Sequence, residues 1–339
     1  MDILIKSFNR PYYLDRCLFS IKKHVKNNDG KIVILDDGTP PIYLNKITEK
    51  YPYVTIKKSE SYDLKQQFTT KGICPSTYEI PIKLWIEGAR EATENFIMLE
   101  DDIWFTDDFD CLATVIDIKS DNVMMTKLHW LGNSIINQNK YKTLKNNLIL
   151  IKPKLFTIVP ALYYLIFYKF DKFKIRKTFR FLRINTRKKH LAYYSIYAVA
   201  GVIFNREYFL KLWANHENKI DEGLQIYNAV KIYQKNKNTN QFAIYKNEIL
   251  KTGFTSSATN QYKEHYLGNV DMFIFNKMLN DAWLSNQLDT IKSLPKDIDI
   301  DSINHILNNN SNSKITATDW QNWMQDFKTE YRVFGCIID

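Results

Sequence analysis

Cysteine is sparse and scattered: Cys17, Cys74, Cys111 and Cys336 form no C-x-x-C pair and have no histidine at ligand spacing. Neither a disulfide framework nor a zinc site is expected, and all four read as reduced structural thiols. No glycine lies between Ser7 and Pro11, so the N-terminus lacks a glycine-rich loop to cradle phosphates. The apolar segment from Leu155 to Tyr168 has fourteen uncharged residues and contains Pro160, too few to span a bilayer. A secretory leader is not expected either, because the strand-like run Ile3 to Phe8 begins two residues after Met1. The chain is therefore read as cytoplasmic, and it carries no internal repeat.

What is present is a core. In 339 residues, 45% hydrophobic and 14% aromatic content suffices for one large α/β core or two smaller ones. The net charge of +10 is concentrated. Between Leu162 and His190, ten basic residues face one acid, Asp171, a local excess of nine that leaves the rest of the chain near neutral.

The first 130 residues alternate strand and helix. Ile3 to Ile5 and Lys31 to Leu35 are β-branched runs flanking Pro11 to Lys26, where Leu14, Leu18, Ile21 and Val25 recur at helical spacing. Pro11 and Pro40-Pro41 suit the first turns of helices. Strands are predicted at Tyr53 to Lys57, Asn95 to Leu99 and Asn122 to Leu128, with helices at Pro81 to Ala92 and Asp108 to Ile118. This rhythm predicts an α/β fold with a Rossmann-like, mainly parallel sheet covered by helices, and ligands at the carboxyl ends of its strands. Asn133 to Leu148 reads as polar and irregular, and Asn308 to Ser313 as a flexible linker. Ala198 to Phe204 and Phe242 to Tyr245 read as strands, Glu207 to Trp213 and Glu222 to Tyr233 as helices, and Trp320, Trp323 and Phe327 as a small packed helix.

Two acidic clusters end predicted strands. Glu100-Asp101-Asp102 follows Phe96 to Leu99, and carboxylates there suit Mg²⁺ or Mn²⁺, which bind through one or two carboxylates plus substrate phosphates. Asp36-Asp37-Gly38 follows Ile32 to Leu35, where the acids can accept hydrogen bonds from a base or ribose. Solvated acidic turns are the plain alternative for both, and Asp107 and Asp108 read mostly as helix caps.

These residues resemble the inverting glycosyltransferases of the GT-A fold, family 2 type. ILIKSFNRP is similar to that family's first strand and turn, which implies nucleotide contacts from Ser7, Asn9 and Arg10; IVILDDG implies the same for Asp36 and Asp37. FIMLEDDIWFTDDF resembles the metal motif of N-acetylglucosaminyltransferase I relatives, implying Asp102 as metal ligand, with Glu100 and Asp101 near the uridine and sugar. NVMMTKLHW and AVAGVIFNREYFLKLW resemble later family segments, and Asp221, three residues before Leu224, falls where similar enzymes keep their catalytic base. Glu222 is the alternative base, and both acids also suit a helix N-terminus. Glu100 departs from the Asp usual in family 2.

Lys127, His129 and Trp130 end the fifth predicted strand as candidate acceptor contacts, with core packing the alternative for Trp130 and an ordinary satisfied histidine the alternative for His129. His265 is a weaker candidate for a metal site. Lys169, Lys172, Arg176, Arg180, Arg183 and Arg187 have a mean spacing of 3.6 residues, which gathers them on one helical stripe suited to an anionic membrane surface. A solvated helix is the alternative.

The expected organisation is a nucleotide-sugar half (1–130), an insertion with the basic helix (131–194), an acceptor half with the base (195–290) and a C-terminal tail (291–339). The expected activity is metal-dependent transfer from a nucleotide-diphosphate sugar, a UDP-sugar, to a glycan or lipid-linked saccharide at the inner face of the membrane. The alternatives are a sugar nucleotidyltransferase, which the missing N-terminal glycines count against, and a basic nucleic-acid-binding module.

Overall fold

A computed structural model describes residues 1–75, 79–136, 140–168, 181, 186–215, 221–237, 242–260, 270–309 and 315–338. The strands are β1 Asp2–Ser7, β2 Val25–Lys26, β3 Ile32–Asp36, β4 Val54–Lys58, β5 Asn95–Glu100, β6 Ile103–Phe105, β7 Phe109–Asp110, β8 Met125–Lys127, β9 Lys140–Lys145, β10 Leu148–Lys152, β11 Val202–Asn205, β12 Phe242–Tyr245 and β13 Leu250–Thr252. The described helices are α1 Pro11–His24, α2 Pro41–Lys50, α3 Tyr62–Thr70, α4 Ile82–Glu91, α5 Cys111–Ser120, α6 Pro160–Tyr163, α7 Arg187–Leu191, α8 Arg206–Leu212, α9 Glu222–Lys235, α10 Met272–Leu284, α11 Ile300–Asn309 and α12 Ala317–Val333.

Nine strands form one sheet in the order β4-β3-β1-β5-β11-β8-β12-β10-β9. Strands β10 and β11 run against the other seven, so the expected mainly parallel α/β sheet is observed. Alternation along β1 and β5 separates the two faces. Ile3, Ile5, Ile97 and Leu99 pack with α1, α10 and the C-terminal helices, whereas Leu4, Phe96 and Met98 pack with α4, α8 and α9. Trp320 and Trp323 of α12 are buried in the first of these cores. A two-stranded ribbon of β6 and β13 lies apart from the large sheet.

The differences from expectation are local. Asn133 to Leu148 is not irregular throughout, because β9 and β10 form an antiparallel hairpin turning at Asn146, whose φ is +31°. The alternation of K-Y-K-T-L-K carries little apolar weight, and lysine-rich strands are common at sheet edges. The Trp320 helix is not small but seventeen residues long. Helix α3 escaped prediction because its buried positions, Tyr62, Lys65 and Thr69, are polar. Asp107 and Asp108 do not cap α5: that helix starts at Cys111, and Asp110 accepts from Ala113 N at 2.9 Å. Asp108 instead meets His24 at 3.0 Å.

Lys169, Lys172, Arg176, Arg180, Arg183 and His265 lie outside the described residues. Arg187 opens α7 and places its guanidinium 4.6 Å from the centre of the Phe334 ring. Among the described residues no helix is long and apolar enough to cross a membrane.

Candidate active site

Register decides whether the two acidic clusters meet. Ser7 at the end of β1 is level with Asp36 on β3, and Lys6 is level with Glu100 on β5. The main chain ties both turns to β1, with Asp37 N donating to Ser7 O at 3.0 Å and Asp101 N to Lys6 O at 2.9 Å. The clusters therefore flank one strand end, about 10 Å apart across two strand spacings.

Arg10 organises the turn between them. Asn9, at φ +53°, turns the chain from β1 into α1, held by Thr39 Oγ1 at 2.9 Å from its N–H and by Asn280 on its carbonyl at 3.1 Å. The buried Arg10 guanidinium then bridges Asp101 and Asp102, with Nη1 donating to Asp102 Oδ2 at 2.8 Å and Nη2 to Asp101 Oδ1. Phe8 N donates to Asp101 Oδ2 at 3.1 Å, so Asp101 is fully enclosed. Burial works against the charge on Arg10, but the two carboxylates outweigh it and hold the guanidinium well above the ordinary arginine value. Burial likewise pushes Asp101 upward, with Arg10 opposing and Asp102 adding to the shift.

Asp102 is different. Its Oδ1 is buried with no hydrogen-bond partner, as is Arg10 Nε. Among the described residues no three His, Cys, Asp or Glu side chains converge as a metal cage. One unpartnered carboxylate oxygen fits an ion completed by substrate oxygens and water, not a structural metal.

Asp36 builds the turn: its Oδ1 accepts from Gly38 N at 3.0 Å and Thr39 N at 2.8 Å, and its Oδ2 from Thr39 Oγ1 at 2.6 Å. Asp37 pairs with Lys65 Nζ at 2.6 Å, both side chains buried. Gly38 is required there, because its φ is +136° and a Cβ would stand 2.7 Å from Lys65 Cβ.

On the opposite face of the sheet edge, Glu100 stands 3.8 Å from Lys6 Nζ, which donates to Val199 O at 2.9 Å and lies 4.2 Å over the Trp85 ring. Burial lowers Lys6 to about 8, with Glu100 and Glu222 opposing that shift. Partial burial raises Glu100, with Lys6 opposing and Asp102 and Glu222 reinforcing. Glu222, at the start of α9, is thus close enough for its charge to act on both. Its Oε2 accepts from Tyr194 OH. The adjacent Asp221 is the helix cap: Oδ1 accepts from Leu224 N at 3.0 Å and Oδ2 from Tyr168 OH at 2.6 Å.

At the end of β8, His129 Nδ1 lies 3.1 Å from Leu250 O and 3.1 Å from Glu248 Oε1. Glu248 also accepts from the backbone N–H groups of Trp130, Leu131 and Gly132, in a turn whose φ values are +50° at Leu131 and +62° at Gly132. Burial pushes this carboxyl up, but His129 and the N–H groups outweigh it and hold the pKa below the usual glutamate value. Trp130 is half-buried against the second core. Glu248→Ala should strand three N–H groups and lower stability by about 2 kcal/mol or more, read from urea unfolding. A variant as stable as the parent would show that water replaces the carboxylate.

Lys6, Lys65, Thr39 and Glu248 were not singled out from sequence. A lone lysine inside an apolar strand, as at Lys6, was the one available signal. A cavity of about 860 Å³ beside the β6–β13 ribbon is lined by Trp104, His129, Glu248, Leu250, Phe254 and Asp297, but not by Arg10, Asp102 or Glu222.

No family model matches the chain, and no curated protein matches it. Among solved structures, S. aureus TarS 1-349 is 11% identical, with a TM-score of 0.41 over 98% of this chain and 91% of that one. The same fragment in complex with UDP-GlcNAc is 12% identical, with a TM-score of 0.39 over 99% and 83%. Glucosyl-3-phosphoglycerate synthase from Mycobacterium tuberculosis, in complex with Mn2+, UDP and phosphoglyceric acid, is 8% identical, with a TM-score of 0.35 over 73% and 70%. At these identities and scores the functional reading rests on the chain's own residues.

Proposed function

We propose that this chain is an inverting glycosyltransferase of the GT-A type, moving a sugar from a UDP-sugar to a hydroxyl of a glycan or lipid-linked saccharide. The observation that carries the reading is the unpartnered, buried Asp102 Oδ1 at a strand end level with the Asp36 turn. A divalent ion bound there, Mn²⁺ or Mg²⁺, would neutralise the diphosphate as it leaves. The chain's own residues do the rest. Arg10 fixes the Asp102 carboxylate by its other oxygen, Asp36 spends both oxygens on its own turn, and Lys65 holds Asp37.

The acceptor hydroxyl attacks the anomeric carbon, the bond from that carbon to the diphosphate oxygen breaks, and a carboxylate takes the hydroxyl proton. We assign that base to Glu222 rather than Asp221, because Asp221 spends both oxygens on the helix cap and Tyr168. One base opposite the leaving group gives inversion.

Calorimetric titration of the full chain with UDP, with and without Mn²⁺, tests the reading. Binding at least tenfold tighter with Mn²⁺ is expected. No binding under either condition removes it, and salt-sensitive binding to RNA instead would favour the nucleic-acid module.

A further inference from the structure

Lys127 is a lysine almost wholly buried in an otherwise apolar part of the sheet. It stands in a row running across one face of the sheet: Leu4 on β1, Met98 on β5, Val202 on β11, Lys127 on β8 and Ile244 on β12. The other four members are apolar and buried, and Lys127 itself is 5% exposed. Among the described residues its Nζ makes no hydrogen bond and no ion pair. The carboxylate it senses is Glu248, which is already committed to His129 and three backbone N–H groups. An ammonium with so little solvent and no protein partner among the described residues is costly to hold, and a methionine would fill the same row without that cost. Lys6, another lysine on this face, is by contrast engaged by Val199 O and lies near Glu100.

Position narrows what could complete it. Asp102 follows β5, and the nucleotide turn lies at β1 and β3, on one side of that strand. Lys127 lies two strands away on the other side, about 10 Å across the sheet, beyond β11. A donor held at β1, β3 and β5 leaves the end of β8 to the acceptor. We infer that Lys127 receives an oxyanion carried by the acceptor, a phosphate or a carboxylate, so that the enzyme selects anionic saccharides over neutral ones. This assignment rests on the donor reading proposed above.

The full chain, saturated with UDP and Mn²⁺, is titrated with glucose 6-phosphate, glucuronate and glucose. At least one of the two anions should bind at least tenfold tighter than glucose, and which one it is separates phosphate from carboxylate. Lys127→Met should abolish the preference, and Lys127→Arg should keep it within about threefold, with UDP affinity unchanged in both. Because Met removes a charge from an apolar row, the variant should fold, and its melting temperature should equal or exceed the parent's. UDP binding without any anion preference, or a preference that survives in Lys127→Met, overturns the Lys127 assignment alone. Absence of UDP binding overturns the donor reading and this inference together.

Discussion

Replacing Asp102 with asparagine should reduce metal-dependent transfer at least 10³-fold while the fold survives. Asparagine keeps an acceptor oxygen for Arg10 Nη1 but presents a neutral amide where Oδ1 now stands unpartnered. Arg10 keeps its second carboxylate, Asp101, so the loss of structural energy should stay near 1 kcal/mol. The loss in turnover is larger because stabilisation of a developing diphosphate charge acts in the transition state, where one such interaction is worth about 3 to 4 kcal/mol. Two measurements check this: the tightening of UDP binding by Mn²⁺, which should vanish, and release of UDP from a UDP-sugar. Undiminished turnover would remove Asp102 as the ligand.

Glu222→Gln should lower kcat by about 10² to 10⁴ while donor affinity stays within about threefold, since a general base contributes to the proton transfer and not to holding the nucleotide. Glutamine can still accept from Tyr194, so the side chain keeps its position. Asp221→Asn is the paired control. Asparagine caps helices as well as aspartate does, so the bond to Leu224 N persists and turnover should fall only a few-fold. The reverse pattern, with Asp221→Asn nearly dead and Glu222→Gln active, would return the base to Asp221, the residue the family resemblance favoured.

Much of the scaffold was legible in the chain. Pro11, Pro41 and the spacing of Leu14, Leu18 and Ile21 mark helices because burial needs an apolar stripe at that period, and Ile3 to Ile5, Ile32 to Leu35 and Phe96 to Leu99 mark strands buried on both faces. Helix α3 was not legible, because its buried face includes Lys65, whose burial makes sense only beside Asp37, 28 residues earlier. The acidic clusters were visible as clusters, but their roles were not. Nothing local distinguishes Asp36, which is consumed by Gly38 and Thr39, from Asp102, which keeps an oxygen without a partner.

Sequence alone determined the order of elements, the placement of acids at strand ends and the scarcity of cysteine, since each depends on composition and short-range periodicity. Tertiary structure decided which acids meet and which are neutralised. Arg10 reaches Asp102 across 92 positions, Glu248 reaches Gly132 across 116, and the charge of Glu222 acts on Lys6 and Glu100 although it comes from a helix far along the chain. The physical reason is strand register: sliding β5 by one residue against β1 would turn Glu100 to the other face, and only packing of the two cores fixes that alignment.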